Sequence, residues 1–265
     1  VTLGSNTVGQ AFRDAVDDRR VKAIVFRVNS PGGTPIASET VWRETVRARE
    51  ADKPVIVSMG NVAGSGGYYV AMDANKIVAQ PGTITGSIGV MGGKLVTREF
   101  WSKLGITWDD VVSSKNSRMW TTSYEFGPAY ERLDALLDRH YDDFTSRVAA
   151  GRGMPLEDVL EVAKGRIWTG EEAKDLGLVD ELGGVDVAVG LALEAIGLDP
   201  DAPVRLKRFP RRRSPWELLF SKRNERAAVD ALARSLRAVQ PQMRTLKRLG
   251  LLGEPEILEM PDVGQ

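Results

Sequence analysis

The sequence predicts an α/β protein built around a mainly parallel sheet. Two observations carry this: short β-branched runs alternate with helical patterns, and glycine-rich loops follow the runs. The first helical pattern, Thr7 to Arg19, places Val8, Phe12 and Val16 on one face. VKAIVFRV (21–28) then reads as a buried strand and ends in the loop NSPGG (29–33). A second helix is expected from Ile36 to Glu50, and PVIVSM (54–59) is the second strand. GNVAGSGG (60–67) reads as a glycine loop, and YYVAMDA (68–74) as a helix. KIVAQ (76–80) is the third strand, followed by the turn-rich loop PGTITGSIGV (81–90). This order puts the glycine loops at the carboxyl ends of strands, where open α/β sheets usually carry their sites.

Farther along, Gly127 to Gly151 reads as one long helix. Its apolar residues, Tyr130, Leu133, Leu136, Leu137, Tyr141, Phe144 and Val148, recur mostly at intervals of three and four. Helices near 155–164 and 171–176 bracket GRIWTG (165–170), and another helix is expected from Val185 to Ile196. The body is expected to end near residue 200. Residues 201–265 then form a basic, helical extension with 14 Lys/Arg against 8 Asp/Glu, leaving 22 against 28 before it.

Composition narrows the chemistry. Basic and acidic residues balance at 36 each, so there is no global nucleic-acid footprint. The absence of cysteine excludes disulfides, thiolate metal sites and a cysteine nucleophile. One histidine, His140, excludes any site that needs two. No apolar run approaches the roughly 18–20 residues that span a bilayer. The chain opens VTLGSNTVGQ, without methionine, from which a further region upstream is expected.

GNVAGSGGYY holds the first candidate site residue. Ser65 lies between Gly64 and the pair Gly66–Gly67, after a strand and before a helix. Small neighbours permit a sharp turn that exposes the hydroxyl. The amide after it and the helix start favour a developing oxyanion. In NSPGG, Pro31 fixes a backbone angle and the amide of Gly33 offers a second donor. Each motif alone is equally a flexible loop or a plain β-turn. A serine nucleophile needs a base. His140 sits in RHYDD on the predicted long helix, where a solvated role is expected, although a Ser-His-Asp triad stays open. The other choice is a lysine kept neutral by burial.

VKAIVFRVNSPGG, KPVIVSMGNVAGSGGYYVAM, ANKIVAQPGTITGSIGV and GRIWTGEEAKDLGLVDELGG stand in an order and spacing that resemble the signal peptide peptidase A family. The resemblance runs from about Asn6 to Leu198 and is greatest to the second half of the long, two-repeat form. It implies a crotonase-like (Clp-protease-like) fold of repeated ββα units, with Ser65 as nucleophile and the Gly33 and Gly66 amides as oxyanion donors. It also implies that Ser87, in TGSIGV, hydrogen-bonds a lysine base. In the short form that lysine lies downstream of the serine, where Lys115 stands 50 residues on. In the long form the first half supplies it, so both sources stay open.

The expected function is therefore hydrolysis of cleaved signal peptides or other extended apolar peptides, with no metal or cofactor. A homo-oligomer with inward-facing sites is expected, as is association with the bacterial cytoplasmic membrane. PRRRSPWELLFSKRNERAAVDALARSLRAV (210–239) supplies a basic helix that either packs on protein or lies on anionic lipid through its arginines, Trp216 and Phe220. The end, 253–265, reads as extended. Two other readings stay open: a crotonase acting on an acyl-coenzyme A, and a catalytically incomplete half that serves as a scaffold.

Overall fold

A mixed α/β architecture with a curled six-stranded sheet is what a computed structural model of the chain shows, described here for residues 4–114 and 116–210. The expected basic helix, the extended end and Lys115 lie outside the described residues.

The centre of the sheet is β2 (Val55–Gly64), and its length explains the curl. Its first half pairs in parallel with β1 (Ile24–Ser30) on one side and β3 (Lys76–Ala79) on the other. Its last three residues change neighbour and pair with β4 (Ile84–Gly86), also in parallel. On β4 lies β5 (Ile167–Thr169), antiparallel, and on β3 lies β6 (Glu181–Leu182), parallel. Two stretches expected to be loops are thus partly strand. Gly60–Gly64 continues β2, and Ile84–Gly86 is β4, paired to a third missed strand inside GRIWTG.

Glycine is required where β2 passes the bulge in β1. A Cβ on Gly60 would lie 2.8 Å from the Asn29 side chain, whose Oδ1 accepts from the Val62 amide at 3.2 Å. The register between β1 and β2 shifts at this point, between Val28 and Ser30.

Side chains of β2 alternate between two packed layers, as a buried strand requires. Val57 and Met59 join the main core with Tyr68, Met72, Ile77, Phe144 and Val148. Ile56 faces the other way, against Val78 and α8 (Val185–Glu194) through Ala188 and Ala192. At the amino end, α1 (Ser5–Asp17) and α2 (Pro35–Glu50) close over Val55 through Phe12 and Ala48. Lys53 Nζ donates to the carbonyls of Ala15, Val16 and Asp18, capping the exit of α1.

After Ser65 the chain makes α3 (Gly66–Tyr69), a single turn of helix, and then a series of turns to Ser58's neighbour β3. The helix expected over 68–74 is therefore shorter and begins earlier. Among the described residues of 87–126 the one regular element is α4 (Arg98–Lys103), and they expose Met91, Phe100, Trp108 and Trp120. A 3-10 turn at Gly127–Ala129 leads into α5 (Tyr130–Arg152), which ends on Gly153 in the left-handed conformation. Then come α6 (Leu156–Val162) and α7 (Gly170–Asp175), the latter opened by a capping box between Thr169 and Glu172. Among the described residues no helix is long and apolar enough to cross a membrane.

Tyr68 anchors α3 to the rest of the core. Its ring is fully buried, its hydroxyl donates to the Leu178 carbonyl at 2.9 Å, and burial raises its pKa well above the usual phenol range. Tyr68→Phe leaves that carbonyl without its donor. It is expected to destabilise the fold by about 1–2 kcal/mol in urea unfolding, with the m-value unchanged.

Candidate active site

Ser65 is the hinge between β2 and α3, and its backbone is in an unusual place: φ 52°, ψ −121°. A side chain rarely holds a positive φ of this kind, and the cost is about 1–3 kcal/mol. The surroundings hold it there. The Ser65 amide donates to Gly86 O at 2.9 Å, and the Ser65 carbonyl accepts from the Tyr68 and Tyr69 amides, both at 2.9 Å. The hydroxyl is left at the start of α3, on the wall of a cleft of about 730 Å³.

Ser87 reaches the same cleft because of the sheet register. Gly64 of β2 pairs with Gly86 of β4, so the residues that follow, Ser65 and Ser87, leave adjacent parallel strands side by side. A Cβ on Gly64 would lie 3.4 Å from Ser87 Cβ. Ser87 also has a positive φ, 48°, fixed by its amide's bond to Arg166 O at 2.7 Å. Both serines are half-buried.

The NSPGG loop folds over the start of α3. A Cβ on Gly32 would lie 2.9 Å from both the Gly66 amide nitrogen and Ser65 Cβ, and Gly32 has φ +117°. A Cβ on Gly66 would lie 3.0 Å from the Gly33 amide nitrogen and 2.4 Å from Ser38 Oγ. The Gly33 and Gly66 amides therefore stand close together beside Ser65. Neither donates to any turn or loop hydrogen bond among the described residues. All four residues singled out in the sequence, Gly33, Ser65, Gly66 and Ser87, line this one cleft. Because α3 is only one turn long, its macrodipole is small. The electrostatics here come from the individual N–H groups.

The opposite wall comes from α5. Leu133, Leu137, Tyr141 and Phe144 line the cleft from successive turns of one face, joined by Val90 and Met91. The Tyr141 hydroxyl is buried and has no hydrogen-bond partner among the described residues. His140, expected to be solvated, instead lines the cleft and is half-buried. Lys164 also lines it, exposed and with φ 61°, in the turn between α6 and β5. Sequence reasoning missed Lys164, and nothing in its neighbourhood, VAKGRI, marks it as facing the serine loop. Among the described residues, no hydrogen bond joins the Ser65 hydroxyl to a titratable side chain, so neither His140 nor Lys164 forms a ready dyad with it. No cluster of metal-binding side chains occurs among the described residues.

Residues 47–199 match peptidase family S49. The chain belongs to this family of serine-type peptidases. Its sequence is 42% identical to Protease 4 of Salmonella typhi over 192 residues, covering 72% of this chain and 31% of that protein. It is 35% identical to the chloroplastic serine protease SPPA of Arabidopsis thaliana over 204 residues, 76% of this chain and 30% of that protein. It is also 39% identical to a putative protease of Synechocystis, over 70% of this chain and 67% of that protein. The chain thus spans about a third of the length of the first two relatives.

The close packing at Gly32 gives a direct test of how the site is held. Gly32→Ala introduces a side chain at φ +117° against Ser65 and Gly66, and is expected to lose about 1–3 kcal/mol in urea unfolding. Gly33→Ala meets nothing within 4 Å and is expected to stay within about 0.5 kcal/mol of the unmutated chain.

Proposed function

We propose that this S49 chain is the serine-bearing part of a Ser-Lys peptidase that cleaves signal peptide remnants or other extended apolar peptides. The observation that carries this is the strained Ser65 at the wall of an apolar cleft, with two unengaged amides, of Gly33 and Gly66, beside it. An extended peptide lies along the leucine and tyrosine face of α5, with its scissile carbonyl over Ser65. Ser65 Oγ attacks the carbonyl carbon while a neutral lysine takes the hydroxyl proton. The carbonyl oxygen becomes an oxyanion held by the Gly33 and Gly66 N–H groups, a contribution of several kcal/mol in comparable enzymes. The lysine ammonium then protonates the leaving amine, and water hydrolyses the acyl-serine by the reverse sequence of proton transfers. Ser87, side by side with Ser65, is suited to orient the lysine through its hydroxyl.

The lysine is Lys115 or belongs to a further segment, as in the two-repeat form that the sequence resembles. The apolar cleft suits either source, because desolvation lowers a lysine pKa and keeps the amine neutral. The family and the parallel β2–β4 pairing support the crotonase-like fold that the resemblance implies. The exposed Phe100, Trp108 and Trp120 support contact with further copies of the chain, and the arginines from Arg211 onward suit an anionic membrane surface. The acyl-coenzyme A alternative requires a free, positioned carboxylate. Of the two carboxylates that line the cleft, Glu39 is already paired with Arg43 at 2.6 Å and Arg147 at 3.5 Å, and Asp143 is exposed on α5 rather than set in either glycine loop.

The test is peptidase activity on an apolar peptide, with and without an added upstream half from a two-repeat relative. Ser65→Ala is expected to abolish activity, by more than about 1,000-fold. Equal loss in Lys115→Ala assigns the base to this chain. Activity that appears only with the added half assigns it elsewhere. Activity that survives Ser65→Ala contradicts the proposal.

A further inference from the structure

Arg147 of α5 touches side chains of both α2 and α3, which contribute Glu39 and Tyr69 to the cleft, and the chemistry above leaves it without a role. It projects from α5, one turn past Phe144, and its side chain is about three-quarters buried. One nitrogen, Nη1, donates to the Tyr69 hydroxyl at the end of α3. The other, Nη2, pairs with Glu39 of α2 at 3.5 Å. The plane lies over Trp42 of α2, 4.3 Å from the ring centroid, and 5.7 Å from that of Tyr69. A fixed planar fork that stacks on one ring while bonding two oxygens is a task for arginine rather than lysine.

The partners are held in turn. Trp42 Nε1 donates to Asp73 Oδ2 at 3.1 Å, and Asp73 is paired with Arg49 at 2.8 Å. Glu39 is bonded by Arg43, which together with Arg147 holds its carboxyl below the usual range. Burial raises the Tyr69 pKa, so the phenol stays protonated and serves as an acceptor for Arg147. Tyr69 also packs its ring on Phe144, centroids 4.9 Å apart. The base of the cleft on α2 and α3 is therefore rigid. The apolar wall, Leu133, Leu137 and Tyr141, stands on the preceding turns of the helix that Arg147 ties down.

We propose that Arg147 is a positioning residue that sets the separation between the apolar wall of α5 and Ser65, and thereby the affinity for extended apolar peptides. This rests on reading the cleft as a peptide site. A small reagent that needs only Ser65 and the two amides does not use the wall, so its reaction is insensitive to Arg147.

The test uses the full chain and two probes. The first is binding of a fluorescein-labelled, leucine-rich peptide to the Ser65→Ala background, read by anisotropy. The second is the labelling rate of Ser65 by a small fluorophosphonate. Arg147→Met is expected to weaken peptide binding about 10-fold while labelling stays within about 2-fold, and Arg147→Lys to restore part of the affinity. Should Arg147→Met fail to fold, Trp42→Leu removes the ring on which the guanidinium stacks without touching the cleft lining, and is expected to weaken binding about 3-fold with labelling unchanged. Unchanged peptide affinity, or labelling that falls in parallel with it, overturns the proposal. Absence of both peptide binding and Ser65 labelling, in the chain alone and with the upstream half of a two-repeat relative added, overturns the peptidase reading instead.

Discussion

Ser65 holds a backbone conformation that a free chain would abandon, and much of the fold around it exists to prevent that. Its amide is tied to Gly86, its carbonyl to the first turn of α3, and the Gly32 backbone presses against its Cβ. Each of these partners depends on a longer-range feature. Gly86 is placed by β4, which exists only because β2 runs five residues past its apolar run and because β5 covers the far edge. Gly32 is placed by the bulge at Asn29, which shifts the register so that β1 makes its last pairing with β2 between Ser30 and Ala63. The α3 turn is placed by Tyr68 and its bond to Leu178, more than a hundred residues downstream. Backbone strain of this kind persists only where surroundings over-determine it in this way.

The same constraint orders the proposed chemistry. Two amides that stabilise an oxyanion must be fixed before charge develops, since reorganising them during the reaction forfeits the gain. Gly33 and Gly66 are held by contact between their loops, and neither amide is engaged in a turn or loop hydrogen bond among the described residues, which leaves the N–H groups available. The packing also explains why residue 66 is glycine: Ser38 and Gly33 already occupy the space of a side chain. Across the cleft, α5 contributes almost no formal charge to the lining apart from His140 and Asp143. Its apolar face supplies the low-dielectric surroundings in which a lysine is most easily kept neutral.

Much of this was legible in the sequence, for reasons that differ by element. β1, β3 and the first half of β2 are short runs rich in Val and Ile between turn signals, and that composition finds them. The motifs around Gly33, Ser65 and Ser87 combine small residues with turn formers, and the structure brings all of them to one cleft. What stayed hidden depends on partners far away in the chain. Ile84–Gly86 and Ile167–Thr169 are three residues each, rich in glycine and threonine, and become strands only by pairing with one another and with the end of β2. His140 and Lys164 carry no local mark of their place. His140 faces the cleft because of how α5 lies on the core, and Lys164 because a left-handed turn after α6 brings it there.

The central claim is that the Ser65 hydroxyl forms the covalent intermediate. The most direct measurement is mass-spectrometric mapping of the chain after acid quench of its reaction with an activated ester of a short apolar peptide. The account predicts a single acyl adduct on the proteolytic fragment that contains Ser65, absent from Ser65→Ala. An adduct on a different residue, or ester turnover that continues in Ser65→Ala, would contradict it.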